Sequence, residues 1–373
     1  MFMDYTKRLK HHYQPKSGWI NDPNGLVYFD GYYHIFYQCA PNHEVPWKEP
    51  MCWGHARTKD FVNFEELPIA LYADMPYDSL GSWSGTAIVK DDTLYLFYAS
   101  VEKLPETTEV YKDSRKETVS MAYSKDGINF TKYEGNPIIN DFPADGGCNF
   151  RDPAILEKDG KYYIIMASGQ PENEVGRLLC YESENLTDWN YVGVMKEWQN
   201  ARYAECPSFL KYGDKFMLCA SYVRMDESHN FYVMVGDFDG NTFTEKVSGE
   251  VDMGPDQYAG QAFTDHLGRN ILIAWVPGWR YQFKERCVGC MSLPRELTVK
   301  DGKIYGYPVK EVQHLLRDFD PAVEITDKGF IIKREGRDPV VYEGEINDIK
   351  ILRDEYIVEV FLNGGEKIFT ALL

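Results

Sequence analysis

The chain has no apolar run approaching the roughly 20 residues of a membrane-spanning helix. Its first residues, MFMDYTKRLKHHYQ, also lack the apolar stretch of a secretory signal. Both absences point to a cytoplasmic protein. Basic charge is scarce as well, with 40 Lys and Arg against 58 Asp and Glu and a formal net charge of -18. Nucleic acid and anionic membrane would be repelled, so the expected partner is a small neutral molecule. Cysteine shows no paired framework. The eight cysteines are scattered, mostly in apolar runs such as FMLCAS and GRLLCYES, as reduced buried thiols are. Cys39, His43, Cys52 and His55 can be drawn as a metal site, and Cys287-Val-Gly-Cys290 has a C-x-x-C spacing. The first set lacks the paired short spacings of a zinc finger and the second has no partner pair, so neither a metal nor a cofactor is expected.

Strand-favouring rings are abundant, with 27 Tyr and 20 Phe in 373 residues. That length fits two domains, or one large all-β unit with an appendage. Five segments share one form: DPNGLVYFDGYYHIFYQ from Asp22, SGTAIVKDDTLYLFYAS from Ser84, DPAILEKDGKYYIIMAS from Asp152, CPSFLKYGDKFMLCASY from Cys206 and GQAFTDHLGRNILIAWV from Gly260. Each reads as a short apolar strand, an Asp/Gly-type hairpin turn and a longer aromatic-aliphatic strand. Taking Leu26, Ile88, Ile155, Phe209 and Phe263 as equivalent, the spacings are 62, 67, 54 and 54 residues. Periods just above 50 with strand content predict four-stranded propeller blades, five of them filling the chain to about residue 310. The absence of amphipathic helical patterns between strands excludes a TIM barrel. A plain β-sandwich with similar hairpins is the competing arrangement.

Asp22 lies between Asn21 and Pro23, where a cluster of turn residues gives way to a strand. Taken singly, it is an ordinary turn residue. It has company, however: Asp152 precedes Pro153, and Glu205 stands two residues before Pro207. Equivalent positions at the starts of blades converge at one end of a propeller's channel, so three acids would meet there. A residue before proline is expected to be extended, which would fix each Asp. Crowded like charges are costly, so three converging acids point to chemistry.

WINDPNG (Trp19 to Gly25), FYQ (Phe36 to Gln38), WGHA (Trp53 to Ala56), WSG (Trp83 to Gly85), FRDP (Phe150 to Pro153), ECP (Glu205 to Pro207) and LPRE (Leu293 to Glu296) resemble, in order, the motifs of glycoside hydrolase family 32. That family includes invertases, sucrose-6-phosphate hydrolases and fructan hydrolases. The resemblance implies a five-bladed β-propeller followed by a β-sandwich. It also implies a retaining β-fructofuranosidase that cleaves terminal β-D-fructofuranosyl linkages of sucrose, sucrose 6-phosphate or short fructo-oligosaccharides through a covalent fructosyl-enzyme intermediate. Asp22 matches the nucleophile, Glu205 the acid/base, and Asp152 the third acid, which holds fructose hydroxyls. Retaining hydrolysis needs one ionised carboxylate and one protonated one. Glu205 is therefore expected to carry the proton. Asn21, Gln38, Trp47, Trp83, Ser84, Arg151 and Trp279 match sugar-contacting positions, and Trp275 is assigned to the core.

Two departures stand out. FYQCAP (Phe36 to Pro41) replaces the family's usual FYQYNP. After LPRELTVKDGKIYGYPVKEV only about 60 residues remain, where a sandwich of roughly 150 is usual. The tail, residues 318 to 373, is read as a shortened β-sandwich-like module of about five strands, too few for a two-sheet core of its own. Its apolar face must pack on the propeller or on a second copy, and a symmetric homodimer through this module is expected. The alternatives are an inverting five-bladed-propeller glycosidase acting on arabinofuranosyl-type linkages and a non-catalytic sugar-binding propeller.

Overall fold

The computed structural model describes residues 7–108, 110–111, 113–170, 175–226, 229–278 and 288–373. Antiparallel strands account for almost all of its regular structure. The first four-stranded sheet runs Trp19–Phe29, Tyr32–Ala40, Cys52–Thr58 and Phe64–Leu71. The next three begin at Gly81–Lys90, Asn149–Lys158 and Ala201–Tyr212, and each pairs its four strands in chain order. The fifth begins at Tyr258–Thr264 and Asn270–Val276, and ends at Arg295–Lys300 and Lys303–Pro308. A short strand, Cys290–Met291, pairs with Asn270–Val276.

Local sequence explains the hairpins. Asp30-Gly31 and Asp159-Gly160 both take positive φ, the geometry of the tight turn whose twist matches the flanking strands. The strands beside these turns are apolar on both faces because neighbouring sheets cover both sides. The first strand of each sheet packs against that of the next, and the fifth returns to the first. The sheets thus close into a propeller around the five first strands.

The C-terminal residues form two three-stranded sheets. One comprises Val323–Thr326, Gly329–Ile332 and Val340–Glu343; the other comprises Ile349–Asp354, Ile357–Leu362 and Lys367–Leu372. The expectation of about five strands without a core of their own is thereby corrected. Strict alternation gives the second sheet two apolar faces. Val358, Val360, Phe369 and Ala371 meet Val323, Phe330 and Ile332 of the first sheet. On the opposite face Phe361 and Ile368 join Val251, Leu297 and Ile304 of the propeller, while Ile357 and Leu372 meet Val276 and Cys290. Docking on the propeller covers the face that motivated a homodimer.

Charge is buried at this junction too. Arg295, from the LPRE segment, bonds Asp252 at 2.8 Å, Glu359 at 3.2 Å and Thr370 Oγ1 at 2.7 Å. His12 reaches Asp354 at 3.0 Å and Glu359 at 3.1 Å. Burial alone would lower the His12 pKa, but those two hydrogen bonds outweigh it and raise it to about 9. Asp354 also accepts the backbone N–H of Lys10, His11 and His12, which ties the N-terminal segment to the last sheet.

Candidate active site

Each of the five first strands carries a bulge near its start, two residues opposing one on the second strand. The pairs are Asn21-Asp22, Trp83-Ser84, Asp152-Pro153, Cys206-Pro207 and Ala259-Gly260. A bulge re-aims side chains that a regular ladder would send to alternate faces. The site is built at these five kinks. Asp152 (φ +57°), Cys206 (φ +47°) and Ala259 (φ +51°) adopt left-handed backbone there. The expectation that proline holds its preceding residue extended therefore fails at Asp152. Cys206, also before a proline, departs in the same way. Closure of the bulge overrides the local preference, at a cost on the order of 1–3 kcal/mol per strained residue.

The side chains converge in a cavity of ≈ 360 Å³ lined by Asn21, Asp22, Gln38, Trp47, Trp83, Arg115, Arg151, Asp152, Tyr203, Glu205, His229 and Tyr258. Ser84 Oγ donates to Asp22 Oδ2 at 2.6 Å and accepts from Gln38 Nε2 at 2.6 Å. Asn21 Nδ2 donates to the other Asp22 oxygen at 3.3 Å. The Cys206 thiol lies between two acids, 3.2 Å from Asp22 Oδ2 and 3.6 Å from Asp152 Oδ2, while its backbone N–H donates to Asp152 at 3.0 Å. Arg151 Nη2 donates to Glu205 Oε1 at 2.9 Å, and the Tyr258 hydroxyl donates to Glu205 Oε2.

Behind Arg151 stands Glu117, fully buried, which accepts from Arg115 Nε at 2.9 Å and from the Phe150 N–H at 2.8 Å and pairs with Arg151 at 3.4 Å. Charges thus alternate from Arg115 through Glu117 and Arg151 to Glu205.

Burial pushes the Asp22 pKa up to about 6, with the Ser84 hydrogen bond opposing and the Glu205 charge reinforcing. Asp152 rises to about 7, again chiefly through burial; Arg151 pulls it down while Asp22 and Glu205 push it up. Two buried acids therefore titrate near neutrality. Three polar atoms in this cavity, Asn21 Oδ1, Gln38 Oε1 and Trp83 Nε1, are buried with no partner among the described residues. Orphaned groups of this kind are costly unless a ligand satisfies them, and sugar hydroxyls can both donate and accept.

Of the ten residues expected from sequence, nine are brought together here: eight line the cavity, and Ser84 lies just behind Asp22. Trp279 lies outside the described residues. Trp275 is buried in the core, edge-on to Trp19. Sequence reasoning missed Cys206, Tyr258, Glu117, Arg115, Tyr203 and His229 as part of the site. Tyr203 had a signal, since two residues before Glu205 on a strand is the same face. Among the described residues no group of three His, Cys, Asp or Glu is arranged to hold a metal. His43 is exposed, while His55 is buried against His34 at 2.9 Å.

Residues 12–308 match the model of the glycosyl hydrolases family 32 N-terminal domain. A sucrose-6-phosphate hydrolase of Zymomonas mobilis is 32% identical over 365 residues, covering 92% of this chain and 69% of the relative. A raffinose invertase of Escherichia coli is 34% identical over 325 residues, covering 83% and 66%. Among solved structures, a β-fructofuranosidase of Bombyx mori superposes with a TM-score of 0.83 at 26% identity, covering all of this chain and 90% of the other.

Proposed function

The chain belongs to the glycosyl hydrolases of family 32, and we propose that it releases terminal β-D-fructofuranosyl units by a retaining double displacement. It is a glycosidase of the β-fructofuranosidase type, cleaving fructosyl linkages. The observation that carries the mechanism is the meeting of Asp22 and Asp152 on either side of Cys206, one residue from Glu205. Ionised Asp22 attacks the anomeric carbon as Glu205 gives its proton to the leaving oxygen. The fructosyl ester on Asp22 is then cleaved by water that Glu205 deprotonates. Asp152 and Arg151 hold the ring hydroxyls, with Asn21 and Gln38 completing the polar lining. Arg151 and Tyr258 fix the direction of the Glu205 carboxyl.

Sucrose, sucrose 6-phosphate and short fructo-oligosaccharides are the substrates to be compared. The buried free thiols of Cys39, Cys52, Cys180, Cys206 and Cys219 favour a reducing, cytoplasmic setting. A hydrolysis panel over these substrates, followed by NMR of the first anomer released, tests the proposal. β-Fructofuranose should appear first. Initial release of the α anomer would replace double displacement by inversion, and no turnover on any fructoside would remove the reading.

A further inference from the structure

Cys39 and Cys52 are register partners on the second and third strands of the first sheet. Both are buried in the same apolar cluster. The segment between them carries Trp47, at φ +61° and 46% exposed, over the cavity. Its two ends are drawn together by Asn42, whose N–H and side-chain amide both donate to Glu49 at 2.8 Å. The cysteines lie directly beneath that clasp. Among the described residues no three His, Cys, Asp or Glu are arranged to hold a metal here: His43 is exposed, and His55 packs against His34. What remains is a cross-strand dithiol. Directly opposed residues in an antiparallel pair have Cα atoms about 4.5 or 5.5 Å apart, and both spacings fall within the range a disulfide accepts.

We propose that Cys39 and Cys52 are a reversible redox pair whose disulfide staples the base of the Trp47 loop and slows the enzyme. The oxidant is a low-molecular-weight disulfide such as oxidised glutathione. The Cys52 thiolate attacks one of its sulfurs, the reagent's S–S bond breaks, and one glutathione thiolate leaves. The Cys39 thiolate then attacks Cys52 Sγ, forming the internal S–S bond and releasing the second glutathione. The protein loses two electrons, the reagent gains them, and the two thiol protons pass to solvent or to the departing thiolates. Burial pushes both thiol pKa values up, so exchange should quicken as pH rises.

The link to activity is structural. A disulfide holds Cβ atoms about 3.5–4.5 Å apart, whereas opposed strand residues sit at about 4.5–5.5 Å, so closing it draws the strands together by up to about 1 Å. Cys39 follows Gln38, which bonds Ser84 and through it Asp22. Cys52 precedes Trp53, whose Nε1 donates to the Trp83 carbonyl at 2.8 Å, and follows Met51, whose carbonyl accepts from the Ser82 N–H at 2.9 Å. A displacement of about 1 Å near reacting groups can cost on the order of 10²-fold in rate.

The test is to incubate the protein with oxidised glutathione in mildly alkaline buffer. Remaining thiols are alkylated after unfolding, and peptides are mapped alongside an assay of fructoside hydrolysis. A Cys39–Cys52 linked peptide should appear, with kcat/KM reduced about 10- to 100-fold and restored by dithiothreitol. Cys39→Ala and Cys52→Ala should hydrolyse at the untreated rate and ignore the oxidant; Ser replacements serve if either Ala variant fails to fold. Recovery of both cysteines as alkylated thiols would overturn the proposal. So would a linked peptide without a change in rate, or equal inactivation of the single variants, which would move the target to Cys206.

Discussion

Two regions of this molecule bury charge, and they do so to opposite ends. At the propeller–sandwich junction, His12 and Arg295 are set among Asp252, Asp354 and Glu359 so that each charge meets one of opposite sign. His12 is held protonated, and both Asp354 and Glu359 are held ionised against the pull of burial. At the channel mouth, Asp22 and Asp152 flank a thiol, and although Arg151 lies 3.9 Å from Asp152, burial outweighs it and lifts both acids toward neutrality. The junction spends its charges on holding elements together. The channel mouth retains an electrostatic strain that a substrate can use.

Asp22→Asn breaks that comparison most severely. Hydrolysis should fall by at least about 10⁴-fold, because a neutral amide cannot form the glycosyl ester. The variant should nevertheless melt no lower than the parent in mildly alkaline buffer. Ionised Asp22 costs on the order of 1–3 kcal/mol there, since its folded pKa lies above the unfolded value. A large drop in melting temperature would show that Asp22 is a structural residue.

Glu359→Gln makes the converse change. It leaves Arg295 and His12 short of a counter-charge in a fully buried setting, and should cost about 3–5 kcal/mol in denaturant unfolding. Activity per folded molecule should be unchanged, because none of these groups reaches the cavity.

The two clusters should also separate by pH. Asp22 and Asp152 have raised folded pKa values, so the stability they contribute is full below their unfolded values near 4 and is lost as pH rises through about 6 and about 7. The His12 contribution, on the order of 3 kcal/mol, is full below 6.5 and lost as pH rises through about 9. Melting curves of Asp152→Asn and His12→Gln should therefore flatten in different windows, between about pH 4 and 7 for the first and between about 6.5 and 9 for the second. In parallel, kcat/KM should fall as pH drops through about 6, where Asp22 takes up a proton.

A finer test concerns how Glu205 is held. Tyr258→Phe removes one donor to its carboxyl and should lower kcat by up to about 10-fold, the worth of one ordinary hydrogen bond. Glu205→Ala should instead lose far more on an ordinary fructoside than on one with an activated leaving group.

The two regions were unequally visible in the sequence. The three acids and the residues around them could be read because each lies in a short motif at the start of a repeated hairpin. The bulges that aim them could not, since the residue before a proline reads as extended, yet Asp152 takes φ +57°. Tyr258 and Glu117 look like ordinary strand residues until the ring closes and brings the sheets together. The junction was invisible for a related reason. His12 and Glu359 are 347 residues apart, and neither position has a local pattern that anticipates the other. The C-terminal strands were undercounted because Val323–Thr326 and Gly329–Ile332 have only four residues each, too short for alternation to stand out.

The central claim is that Asp22 becomes covalently glycosylated, and it can be tested in Glu205→Ala supplied with an activated fructoside. Without the base that deprotonates water, the second step should lag behind the first. Rapid acid quenching and peptide mass mapping should find one fructosyl residue on the peptide containing Asp22 and none on that containing Asp152. Fructose released with no such adduct, or an adduct on a different side chain, would contradict the account.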